Sequence, residues 1–242
     1  MKAVEKMKKH IMAICAHIGD AELTCGKTLA THSLKGDSIT IAAVTAGERG
    51  APPDRDIDEF KQYNIECAER FAKALGGEFF CLGYPDGEAP DNTELRYALC
   101  DLIRMRKPDI VLTHWEKSIH RDHKVTALAV EEAMYYAGLR GFERSGPDGQ
   151  PLPPHSARGP YFAENWEDPE GFEAYVYIDV SPGYALWDEH IKGLWLTENS
   201  PWFKYHVYYD ALSRSRGNLV RRERAECFAV RPHVRRIVQD GF

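Results

Sequence analysis

Residues 10–32 read HIMAICAHIGDAELTCGKTLATH. The first seven, 10–16, are a short apolar run of the kind that makes a strand buried on both faces. From 21 to 32 the apolar residues fall at helical spacing. Between the two stand His17, Gly19 and Asp20. The chain thus passes from a buried strand into a helix through a short turn that carries an imidazole and a carboxylate.

The same succession repeats downstream. Residues 38–45 (SITIAAVT) predict a second, β-branched strand. A Gly-, Pro- and Asp-rich loop at 46–57 follows, then a helix over 58–75 closed by Gly76-Gly77. A third strand is predicted at 78–82, with a Pro85-Asp86-Gly87 turn after it. Next come a helix at 92–106, a fourth strand at 109–113 (DIVLT) and a helix at 123–137. Strands separated by helices pair in parallel through right-handed crossovers. The expected class is therefore α/β, a Rossmann-like doubly wound, mostly parallel sheet with helices on both faces. Periodicity fails from 138 to 173, which reads as a long loop or lid. A fifth strand at 174–180, helical segments near 183–196 and 201–215, and an extended segment near 226–230 complete one domain over 1–242.

Composition narrows the chemistry. The chain has 242 residues, 43% hydrophobic and 28% charged, as expected of a soluble globular protein. A net charge of −6 argues against nucleic acid or an anionic membrane as partner. No apolar run approaches the roughly 20 residues of a membrane span. The basic start, residues 1–9, precedes an apolar stretch too short for export, so a cytoplasmic protein is expected. The six cysteines form no Cys-x-x-Cys pair and read as small buried residues.

Ligands of open parallel sheets bind beyond the carboxyl ends of the strands. There the first strand presents His17 and Asp20, the second Glu48 and Arg49, and the third Asp86. The fourth presents His114, His120, Asp122 and His123. Imidazoles and carboxylates gathered at one sheet edge are the donors of a catalytic zinc-type site, in which an open position remains for water. No Gly-x-Ser-x-Gly elbow, phosphate loop or dinucleotide fingerprint competes with that reading.

With these residues in view, the chain resembles the PIG-L/LmbE family of zinc-dependent de-N-acetylases. Ala16-His17-Ile18-Gly19-Asp20-Ala21-Glu22 is similar to the family's Ala-His-Pro-Asp-Asp signature, and His120-Arg121-Asp122-His123 to its His-Pro-Asp-His signature. Gly47-Glu48-Arg49-Gly50 and Leu82 to Gly87 look like its second and third loops. The resemblance implies one divalent metal, zinc, held by His17, Asp20 and His123. It implies that His120 stabilises the oxyanion or protonates the leaving amine, oriented by Asp122. Glu48, Arg49, Asp86 and, in the long loop, Arg158 would contact substrate. The substrate would be a small N-acetylated sugar derivative. Tyr161, Phe162 and Trp166 would supply flat surfaces to stack on it. The aromatic helices near the C-terminus offer a surface for a homo-oligomer.

Two positions depart from the family. Gly19 stands where the general-base Asp is expected, a loss of about 10² to 10⁴ in rate. Asn64 stands where a substrate-facing arginine is expected. Glu22, Asp122 and Glu48 are the candidates for a relocated base. The alternative is a catalytically inactive metal- and sugar-binding pseudoenzyme.

Overall fold

A computed structural model describes residues 8–168 and 170–234. Residues 1–7 of the basic start, residue 169 and the final residues 235–242 lie outside these. Seven strands form one sheet: β1 (His10–Cys15), β2 (Ser38–Thr45), β3 (Glu78–Tyr84), β4 (Ile110–His114), β5 (Arg158–Ala163), β6 (Val176–Asp179) and β7 (Ala225–Ala229). Their order is β3-β2-β1-β4-β5-β7-β6. The first five in that order pair in parallel, and β7 runs antiparallel between β5 and β6.

The helices are α1 (Asp20–Thr24), α2 (Gly26–Leu34), α3 (Ile57–Ala74), α4 (Thr93–Arg106), α5 (Arg121–Gly138), α6 (Tyr184–Ile191), α7 (Trp195–Asn199) and α8 (Tyr205–Leu219). Strand side chains alternate between faces, and β1 shows the consequence. Ile11, Ala13 and Cys15 join Leu29, Phe71 and Trp187 in one core, under α2, α3 and α6. Met12 and Ile14 join Leu99, Ile103 and Val130 in the other, under α4 and α5. The sheet is therefore covered on both sides. No helix among the described residues is long and apolar enough to cross a membrane.

Two departures from the sequence reading matter for the site. The helix expected over 21–32 breaks at Cys25, whose φ of −135° is not helical. Gly26 then lets Trp187 approach so closely that a Cβ there would sit 2.8 Å from its ring. The long loop is also not continuous. β5 crosses it, with Arg158 paired to Ile110 and Ala163 paired to His114. Gly159 and Pro160 inside β5 read as strand breakers and concealed it.

β1 and β4 are neighbours in the sheet, while the chain winds outward from β1 through β2 to β3 and returns to β4. This is the topological switch point, where a crevice opens beyond the carboxyl ends of the strands.

Candidate metal centre

The crevice is a cavity of about 260 Å³ lined by His17, Asp20, Asp86, His120 and His123 among others. β1 delivers His17 and Asp20. His17 N–H donates to Asp20 Oδ2 at 2.7 Å, which folds the turn back on itself. β4 and α5 deliver the other imidazoles. His120 caps α5 by accepting Asp122 N–H at Nδ1 (3.2 Å), and His123 lies in the first turn.

Three donor atoms form a nearly equilateral triangle. His17 Nδ1 lies 3.2 Å from Asp20 Oδ2 and 3.2 Å from His123 Nε2. His123 Nε2 lies 3.4 Å from Asp20 Oδ2. Zinc bonds of about 2.0–2.1 Å in a tetrahedron separate the ligand atoms by about 3.3–3.4 Å. The residues fit a cation of that kind, with one vertex left facing the cavity.

The far side of each imidazole is also occupied as a ligand requires. His17 Nε2 faces Asp86 Oδ1 at 3.1 Å and Asp122 Oδ2 at 3.5 Å. A proton held there leaves the Nδ1 lone pair free. His123 Nδ1 lies 3.3 Å from Ser118 Oγ, so Nε2 faces inward. His114 belongs to the same cluster, 3.2 Å from Asp20 Oδ2. Its Nε2 accepts Ala16 N–H at 2.9 Å, and its ring stacks on His123 at 4.0 Å. His114 thus packs behind His123 and beside Asp20.

The same contacts set the charges in the metal-free cluster. Burial opposes charge on Asp20, yet His123, His114 and His17 hold its carboxyl well below the usual range. Burial likewise opposes charge on His17, and Asp20, Asp122 and Asp86 outweigh it, raising its pKa well above the ordinary value. Burial, then His17 and His123, lower the pKa of His120, which is therefore neutral near pH 7. Because its Nδ1 accepts a backbone N–H, its remaining proton is on Nε2.

The other residues expected at the site are placed as follows. Asp122 is buried; its oxygens accept Gly87 N–H at 2.8 Å and Ala89 N–H at 3.3 Å. It orients His17 and fixes the third loop, and its carboxylate does not orient His120. Glu48 Oε1 accepts Asp86 N–H at 2.9 Å, and Arg49 N–H donates to Asp86 Oδ2 at 3.0 Å. Both hold Asp86 in position without lining the cavity. Arg158 begins β5 at the opposite edge of the sheet, since its partner Ile110 is the first residue of β4. The lid reading is corrected with it: Phe162 is buried against Trp115, Tyr161 lies on the sheet, and only Trp166 reaches the cavity. Asn64 ties α3 to the second loop by donating to Ala46 O at 3.0 Å.

Glu22 is buried and does not line the cavity. Its Oε2 accepts Gly19 N–H at 2.9 Å, closing the first turn of α1. Burial pushes its carboxyl from 4.5 up to about 7. Between those values the folded state holds more protons than the unfolded chain, so stability falls as pH rises through that window. Glu22→Gln keeps the acceptor and removes the titration. It is expected to flatten the fall, as read by urea midpoints at pH 5 and pH 8; an unchanged slope would refute the assignment.

Sequence reading named Trp166 but missed Asn165, Glu167, Leu196, Tyr205 and Tyr209, which also line the cavity. Asn165 and Glu167 follow the carboxyl end of β5, so the rule that found the other residues would have found these had β5 been recognised. Leu196 and the tyrosines come from α7 and α8. Tyr209 Oη donates to Asn165 Oδ1 at 2.5 Å and fixes that wall.

Among known proteins, the GlcNAc-PI de-N-acetylase family (PIG-L) matches residues 12–134. Diacetylchitobiose deacetylase of Thermococcus kodakarensis is 29% identical over 143 residues, 57% of this chain and 53% of the relative. The chain thus spans about half the length of that relative. The structure of GalB, the 4-carboxy-2-hydroxymuconate hydratase of Pseudomonas putida KT2440, superposes with a TM-score of 0.82 at 19% identity, covering 98% of this chain and 100% of that one. N,N'-diacetylchitobiose deacetylase of Pyrococcus horikoshii gives 0.80 at 20% identity, covering 93% and 85%. At those identities both structures speak for the fold.

Proposed function

The chain belongs to the GlcNAc-PI de-N-acetylase family, and from that membership we propose that it is a divalent-metal-dependent amidohydrolase that removes acetyl from an N-acetylated amino sugar or glycoside. The observation that carries the proposal is the triangle of His17, Asp20 and His123, open toward the cavity. When bound, zinc or a similar cation supplies Lewis acidity, which polarises the acetamide carbonyl and makes water more acidic.

The chain's own residues supply the rest. His17, Asp20 and His123 hold the cation, and Asp86 and Asp122 keep the His17 proton on Nε2. His120 presents its Nε2–H to the cavity as a donor to the developing oxyanion, a role that suits a neutral imidazole. The proton acceptor has to be found elsewhere than at Gly19. The oxygens of Asp122 are engaged by backbone N–H groups, and neither Glu48 nor Glu22 lines the cavity. Of the carboxylates that line the cavity, Asp20 is a ligand and Asp86 is held by His17 and Arg49. Glu167 remains, half-buried, its pKa raised by burial. A raised carboxyl suits a group that takes a proton from attacking water and returns it to the leaving amine.

Amine release from a panel of N-acetylglucosamine derivatives, with and without chelator, tests the proposal. Chelator-sensitive release is expected. Glu167→Gln is expected to lower kcat by about 10²-fold with metal content unchanged; undiminished turnover would remove Glu167 from the mechanism. The metal- and sugar-binding pseudoenzyme is the second reading, favoured by Gly19. Sugar binding without amine release from any derivative would establish it. Hydration of an unsaturated carboxylate such as 4-carboxy-2-hydroxymuconate, with no amine release, would place the site in a different reaction class.

A further inference from the structure

One buried acid beside the metal centre has no task in the proposed chemistry. Asp168 is 1% exposed and follows Glu167 of the cavity wall in the chain. Neither of its carboxyl oxygens meets a partner at full hydrogen-bond geometry among the described residues. Aspartates are almost never fully buried unpaired, so a buried carboxyl in that state calls for a physical explanation. Burial raises its pKa. Against burial, hydrogen bonding from the Ser118 side chain is the strongest influence favouring the carboxylate, ahead of His123 and Asn165.

Ser118 is itself buried, and its Oγ has two neighbours already. It accepts His120 N–H at 3.1 Å and lies 3.3 Å from His123 Nδ1. A cation at His123 Nε2 leaves the ring proton on Nδ1, and that N–H then donates to Ser118 Oγ. A hydroxyl has two lone pairs and one proton. With both lone pairs taken, the proton needs an acceptor. Asp168 has oxygens that need a donor, so each group supplies what the other lacks.

We infer that Asp168 is a positioning residue for the metal centre: it accepts the Ser118 hydroxyl, and through Ser118 it holds the His123 ring with Nδ1 protonated and Nε2 turned toward the cation. This is the carboxylate–histidine–metal arrangement with a hydroxyl interposed. The inference rests on the proposed metal assignment and is independent of the substrate. Asp168 N–H also donates to Asn165 O at 3.1 Å, closing the turn that carries Glu167. A residue that only braced that turn would alter turnover and leave metal affinity alone. Metal affinity therefore separates the two roles.

Zinc and cobalt affinities of the purified full chain are measured by competition with a chromophoric chelator, with circular dichroism to confirm folding. The set is the parent, Asp168→Ala, Asp168→Asn, Ser118→Ala and Asp168→Ala/Ser118→Ala. Each single alanine variant is expected to lose about tenfold in affinity, the lower end of what outer partners of metal ligands contribute. The double variant should lose no more than the larger single loss, since either change breaks the same relay. Asp168→Asn keeps an acceptor oxygen without the charge and should lose a few-fold; its near-identical shape keeps the test open should Asp168→Ala not fold. Unchanged affinity in the folded Asp168 variants, with or without loss of turnover, would overturn the relay. So would losses that multiply to about a hundredfold in the double variant. A parent protein that binds neither metal would overturn the metal assignment itself.

Discussion

His123→Ala is expected to empty the metal centre and abolish turnover. On the proposed assignment the imidazole is one of three donors, and His17 and Asp20 alone would make an incomplete site. Loss of a group that only orients a ligand costs about 10–100-fold in metal affinity, so loss of the ligand itself should cost more than about 10²-fold. Once burial is discounted, His123 is also the strongest influence holding the Asp20 carboxyl down. The variant therefore leaves a buried carboxylate with less compensation. Metal content after gel filtration, with circular dichroism to show that the fold persists, reads the outcome. Full occupancy in a folded variant would remove His123 from the ligand set.

Gly19→Asp, which on sequence grounds would restore the missing base, is expected to destabilise the protein and to yield no gain in rate. Gly19 has φ of +106°, a conformation L residues rarely adopt, and a Cβ built on it falls 2.4 Å from Leu196 Cδ2. Backbone strain of about 1–3 kcal/mol adds to an overpacking cost of similar size. Together these predict a melting temperature lower by roughly 4–24 °C for a chain of this length. Trimming the obstruction in Gly19→Asp/Leu196→Ala should recover part of the loss. Thermal melts of the two variants decide the matter, and a Gly19→Asp protein as stable as its parent would contradict the packing described. Leu196 Cδ2 stands where a side chain at residue 19 would begin.

Much of this was legible in the sequence. β1, β2 and β4 are buried on both faces, so their runs are almost wholly apolar, and the polar residues that follow them stand out. That contrast revealed His17, Asp20, His120 and His123 without coordinates. β5 was concealed because a short strand containing Gly159 and Pro160 looks like loop, and Glu167 was lost with it. Arg158 was misplaced for the same reason: in a loop it is free to reach the crevice, whereas at the start of a parallel strand it lies at the far edge. Leu196 could not be foreseen, because its contact with Gly19 depends on how α7 packs, which no local spacing encodes.

The two segments that would share the proposed cation are far apart in the chain. His17 and His123 are separated by 106 residues, and β1 meets β4 only after the whole of β2 and β3 has wound out and back. An ion bridging them ties a long loop shut, and it does so only in the folded chain. By mass action its binding energy is added to folding stability in proportion to the logarithm of free ion over Kd. On the proposed assignment, the protein's resistance to unfolding would depend on the metal supply around it as well as on its own packing.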